Sequence, residues 1–320
     1  MDRRRQRLRR RRVAAPVVVS LLGMTLSACS NGIASGGARL SANAARSLAP
    51  ASFSAGACVA LAPTAGDRHR TVFLDAGHGG IDPGAVGTTT QGATVDEADA
   101  TLPVELDAAT LLRAQGFRVV VSRTGNSSVT RLGAADLSGG VLSLQGAHDD
   151  VVARALCADL ARADALVGIY FDSGASQADA GSLATYDTVR PFAAANEQLA
   201  NLLQQDVLAT MNAQGWAIPD AGVLPDSQEG SLVQSSSDSP LAAAAARYGH
   251  LLLLGPAMAG YFSTPSEMPG AVIEPLFVTD PFEASIAASS TGQQVIAEGI
   301  ATAVETFLPA PVAQAGHPRS

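Results

Sequence analysis

The chain of 320 residues contains no lysine, so all 21 of its basic residues are arginine. A glycine-rich loop that cradles phosphate usually pairs its backbone amides with a lysine or a helix terminus. That chemistry has no lysine to draw on here. Cysteine is scarce as well, with three residues, Cys29, Cys58 and Cys157. Long apolar runs are missing: "VAAPVVVSLLGMTLSA" (13–28) falls short of the roughly 20 residues a membrane span needs. No internal repeat and no serine, histidine and aspartate pattern of a metal-free hydrolase is evident.

What is present divides the chain. "MDRRRQRLRRRR" carries eight arginines ahead of the short apolar run, the pattern of a secretory signal. That run ends in "LSAC", small residues followed by Cys29, which reads as a bacterial lipoprotein signal over 1–28 with Cys29 as the lipidated residue. The remaining 13 basic and 28 acidic residues give the body a net charge of about −15. Such a body repels nucleic acid. Residues 29–68, rich in Ala, Ser and Gly, read as a lipidated cysteine and flexible tether, 69–308 as one domain, and 309–320 as a disordered tail. In an oxidising compartment Cys58 and Cys157 either pair or stay separate thiols.

Within the domain, short apolar runs at 71–76, 118–122, 165–171, 251–255 and 271–277, with 182–187 as an edge, predict about six strands. Helical spacing recurs between them, in Leu102, Leu106, Ala109 and Leu112, in Val152, Leu156 and Leu160, in Leu199, Leu203 and Val207, and in Ile296, Ile300 and Val304. "DPFEA" (280–284) predicts a helix start, with Asp280 as cap, Pro281 in the first turn and Glu283 closing a capping box. The alternation implies an α/β fold, a mostly parallel twisted sheet with helices on both faces. Ligands then bind beyond the carboxyl ends of the strands.

At that rim stands "FLDAGHGGIDPGAVG" (73–87), where glycines clear the space around His78 and Asp75 is placed to orient its second nitrogen. Glu97 opens the next helix on the same rim. Glu274, inside the apolar "AVIEPLF", costs several kcal/mol unless paired with an arginine or set near a metal. The segment 222–249, serine-rich in its middle, reads as a lid over the cleft or an inert insertion.

These segments resemble the zinc-dependent N-acetylmuramoyl-L-alanine amidases of the amidase type 3 family. "DAGHGGIDPGA" is similar to that family's opening motif, "FRVVVSRTGN" to its second strand, "ALVGIYFDSG" to its "SIHAN" strand and "GAVIEPLFVTDPFEA" to its closing segment. The resemblance implies one zinc ion held by His78, Glu97 and a third ligand, with Glu274 as the catalytic carboxylate. Tyr170 stands where the family has its second histidine, with Asp172 and His148 as alternates. A phenol must lose a proton with a reference pKa near 10 to bind zinc well. Arg123 and Arg154 are candidates to meet a substrate carboxylate. The implied reaction is hydrolysis of the amide between N-acetylmuramic acid and L-alanine in peptidoglycan, outside the cytoplasm and next to a membrane anchored through Cys29. The alternative is a degenerate amidase that binds cell-wall peptides or an envelope partner without cutting.

Overall fold

The computed structural model describes residues 45–48, 50–229 and 239–310. The leader, Cys29, the end of the tail and the middle of 222–249 lie outside the described residues. Eight strands form one sheet: β1 (Ala45–Ser47), β2 (Ala57–Leu61), β3 (Thr71–Ala76), β4 (Arg118–Arg123), β5 (Ala165–Ile169), β6 (Ser182–Tyr186), β7 (Asp220–Pro225) and β8 (Gly270–Glu274), in the spatial order β1-β2-β4-β3-β5-β8-β6-β7. The central four, β4, β3, β5 and β8, are mutually parallel. Antiparallel pairings bring β1 and β2 onto one side and β6 onto the other.

Period-two patterning sorts each strand between two cores. Val72, Leu74, Val119, Val121, Val167 and Ile273 pack on one face under α1 (Glu97–Ala114), α3 (Ala193–Ala213) and α7 (Ser290–Phe307). Phe73, Val120, Leu166 and Val272 pack on the other face under α2 (Leu144–Ala161) and the segment 251–254. Every one of these strand residues is less than 5 % exposed. That two-sided burial is why the strands read as continuous apolar runs.

Three expectations change. Within the stretch read as tether, Ala45–Ser47 and Ala57–Leu61 belong to the sheet, and Ala57, Cys58 and Leu61 are buried, with Cys58 joined to Cys157 of α2 by a disulfide. The run 251–255 is not a strand: amides of Leu254 and Gly255 turn back to the Leu251 carbonyl, and Leu253 lies flat on the sheet where Gly168 leaves room for it. Its apolar side chains serve as a lid on the core, a role that periodicity does not separate from a strand. At α6 (Pro281–Ala287) Asp280 caps the Glu283 amide as expected, but the Glu283 carboxylate turns away to accept from the amides of Phe277 and Gly181.

Candidate functional site

The carboxyl ends of β3, β5 and β8 deliver His78, Tyr170 and Glu274 to one rim. A cavity of about 250 Å³ opens there, bordered by His78, Arg154, Tyr170, Val272 and Glu274. His78 has a left-handed backbone, with φ of 59°. Strain of this kind costs of order 1–3 kcal/mol and needs surrounding contacts to persist. Arg154 supplies one of them by donating to the His78 carbonyl at 2.7 Å.

The imidazole is held from both sides. Nδ1 lies 2.8 Å from Asp82 and Nε2 lies 3.2 Å from Glu97. The orienting carboxylate is therefore Asp82, four residues on in the same loop, and not Asp75. Glu97, at the first turn of α1, accepts from the Ala85 amide at 2.8 Å and the Phe171 amide at 2.9 Å. One side chain thus ties together the glycine loop, the helix and the end of β5. Gly84 is required beside this pair, since a Cβ there would meet Glu97 and His78 at 2.6 Å.

Burial pulls the His78 pKa down, but the Glu97 and Asp82 carboxylates outweigh it and push it up to about 10. Unpaired with metal, the ring is an imidazolium. Its folded pKa exceeds the unfolded value near 6.5, so the stability it contributes is complete below pH 6.5 and is lost as pH rises through about 10. In the metal-free chain the His78 ring resonances are expected to titrate far above neutrality, and in Glu97→Gln at lower pH. A midpoint near 6.5 in the unaltered chain, read by NMR, would contradict this arrangement.

Glu274 ends β8, buried to 8 % exposure, and one of its carboxylate oxygens has no hydrogen-bond partner. Burial raises its pKa well above the usual carboxylate range, and the neighbouring Asp172, Glu229 and Glu97 carboxylates add to this while His78 opposes it. No arginine pairs with it among the described hydrogen bonds.

Tyr170 occupies the rim without offering its oxygen. Its hydroxyl donates to Asp75 at 3.0 Å, and its ring lies so close to Gly77 that a Cβ there would stand 2.4 Å from a ring carbon. Burial, then the Asp75 charge, raises its pKa well above 10. Held this way the phenol oxygen is engaged with Asp75, and burial and that charge oppose the deprotonation that zinc binding requires. His148 is also elsewhere, its two ring nitrogens bonded to Asp149 and to the Tyr261 carbonyl. Asp172 lies near enough to Glu274 to raise its pKa, but it accepts from the Ser173 amide and completes no ligand set with His78.

The two arginines prove to be scaffolding. Arg123, fully buried, donates to the carbonyls of Ala76, Gly77 and Ala98. Arg154, 1 % exposed, joins Asp75 and Asp150 and donates to the carbonyls of Ala76 and His78. Their donors shape the glycine loop and leave the substrate contact expected of them without support.

A catalytic zinc normally takes three protein ligands. Among the described residues the only three histidine, cysteine or carboxylate groups that converge are Asp187, Asp226 and His250, away from His78. The pair His78 and Glu97 therefore does not fit the implied three-ligand zinc. His250 directly precedes the apolar run 251–255 that was expected as a strand. That run is a turn, and His250 borders the same cavity as His78.

Comparison with known proteins matches residues 72–306 to the N-acetylmuramoyl-L-alanine amidase family. Three solved structures are similar in fold. The CwlD amidase of Clostridioides difficile, solved with the GerS lipoprotein, is 19 % identical with a TM-score of 0.54, covering 75 % of this chain and 98 % of its own. The amidase AmiC2 of Nostoc punctiforme is 20 % identical with a TM-score of 0.50, covering 76 % and 99 %. An N-acetylmuramoyl-L-alanine amidase of Clostridium difficile 630 is 23 % identical with a TM-score of 0.50, covering 75 % and 96 %. Comparison with curated proteins finds no match.

Proposed function

Because the chain belongs to the N-acetylmuramoyl-L-alanine amidase family, we propose that its cleft receives the muramoyl-peptide junction of peptidoglycan and holds it without cutting it by the zinc route. One observation carries this reading: the Tyr170 hydroxyl is spent on Asp75, so the rim keeps two donors where hydrolysis calls for three. With its pKa raised by both carboxylates, the His78 ring faces Asp82 through Nδ1 and Glu97 through Nε2 as an imidazolium. Burial favours the neutral form of Glu274, which as a carboxylic acid donates a hydrogen bond to a substrate carbonyl in this reading. The protein works outside the cytoplasm in this reading, tethered to the membrane through lipidated Cys29.

Hydrolysis is the second reading, and Glu274 favours it. A buried carboxylate oxygen with no partner, on a side chain that lines the cavity with His78, suits a general base for water attacking the amide. Incubation of the purified chain with peptidoglycan sacculi separates the two. Co-sedimentation without new free L-alanine amino groups is the expected result. Amine release that disappears in Glu274→Gln overturns the non-hydrolytic reading, and failure to sediment overturns the assignment of the cleft to peptidoglycan.

A further inference from the structure

Where His250 borders the same cavity, three side chains from separate segments meet. Asp187 follows β6, Asp226 opens the short helix α4 (Asp226–Glu229) directly after β7, and His250 lies in the turn after α5 (Pro240–Tyr248). β6 runs antiparallel to β8, with Leu183 opposite Glu274 and Thr185 opposite Val272. Asp187 is therefore displaced along the strands by roughly 13 Å from the level of Glu274. This cluster is separate from the one around His78.

Asp226 Oδ1 and Asp187 Oδ2 stand 3.1 and 3.2 Å from the same nitrogen, Nδ1 of His250. Both aspartates are fully buried. Their other oxygens are already used: Asp187 accepts from the amides of Val189 and Arg190, and Asp226 from the amide of Leu251. Each carboxylate is thus locked in place with one oxygen turned to the centre. Nδ1 carries at most one proton, and its hydrogen bond goes to Asp226. Asp187 Oδ2 lies within ion-pair distance of the ring, yet it makes no hydrogen bond despite being buried. The nearby Arg190 guanidinium is directed at the carbonyls of Gly255 and Ser266. Two buried carboxylates facing a ring that supplies at most one positive charge leave a negative charge uncompensated, an arrangement that costs several kcal/mol.

A divalent cation resolves this imbalance. Bonds of 2.0–2.2 Å to nitrogen and oxygen set neighbouring ligands roughly 3–3.5 Å apart, which matches both separations from Nδ1. We propose that Asp187, Asp226 and His250 bind a divalent transition-metal cation through two carboxylate oxygens and Nδ1. An imidazole alongside carboxylates selects zinc over manganese and calcium. The ion joins the ends of β6 and β7 to the turn carrying His250, a ring that borders the cavity. The site does not depend on whether the rim cleaves peptidoglycan.

Zinc titrated calorimetrically into the chelator-stripped full chain tests this. One equivalent is expected, weakened about 100-fold or more in Asp187→Asn and in Asp226→Asn, the upper end of what loss of a supporting group costs, and unchanged in Glu97→Gln. The unaltered chain's unfolding midpoint is expected to rise with zinc, which keeps the proposal testable if the variants fold poorly. Absence of both uptake and midpoint rise overturns it. Uptake that survives Asp187→Asn but is lost in Glu97→Gln also overturns it and moves the metal to His78. Two equivalents, one lost with each set of variants, uphold this site and overturn the non-hydrolytic reading of the rim.

Discussion

Arg154→Met is expected to destabilise the protein by about 3–5 kcal/mol, the range for breaking a buried ion pair by removing one partner. Arg154 is 1 % exposed and faces Asp75, itself fully buried, at 2.8 Å and Asp150 at 2.9 Å. Methionine fills much of the volume but leaves two buried carboxylates without their cation. Asp150 also accepts from the amides of Val129 and Thr130, so the disturbance spreads into that loop. The carbonyls of Ala76 and His78 lose a donor at the same time, and with it part of what holds His78 at positive φ. Chemical unfolding of Arg154→Met and Arg154→Lys measures this. Lysine, a compact charge without the planar fork, is expected to recover only part of the loss. A cost below about 1 kcal/mol for the methionine variant shows that the network is not what stabilises this end of the sheet.

Removing the disulfide is expected to cost about as much. Cys58 and Cys157 are separated by 99 positions, and closing a loop of that length stabilises by up to about 4.7 kcal/mol in the chain-entropy account. The bond ties β2, near the edge of the sheet, to α2, so its loss frees the strand pair β1 and β2 first. For a body of this size each kcal/mol moves the unfolding midpoint by about 2–4 °C. The double variant Cys58→Ala and Cys157→Ala should then unfold roughly 10 °C or more below the unaltered chain. Reduction of the unaltered chain should reproduce the shift. A change of about 2 °C or less indicates that β2 is held by its sheet contacts alone.

Legibility in the sequence followed the range of the signal. Strands β3, β4, β5 and β8 were visible because burial on both faces forces continuous apolar runs. His78 and Glu274 stood out because a histidine among glycines and an acid inside an apolar strand each violate a local rule, whereas Glu97, an acid where a helix start favours one, was singled out only by the family resemblance. The first two strands were hidden: β1 is an exposed three-residue edge strand, and β2 sits in a stretch rich in Ala, Ser and Gly and takes its burial from partners far along the chain. Asp75 was the orienter expected for His78 and Asp82 is the one found, because the loop's reversal and not its spacing decides which carboxylate meets Nδ1.

By itself, then, the order of residues determined an α/β body, its mostly parallel centre and the rim at which polar groups gather, since those follow from burial and strand direction. Tertiary structure alone decided what the polar groups do there. Tyr170 is a partner of Asp75, the arginines are internal braces, and His250 meets Asp187 and Asp226. Such assignments depend on distances of about 3 Å between residues tens of positions apart, and no periodicity along a chain encodes them.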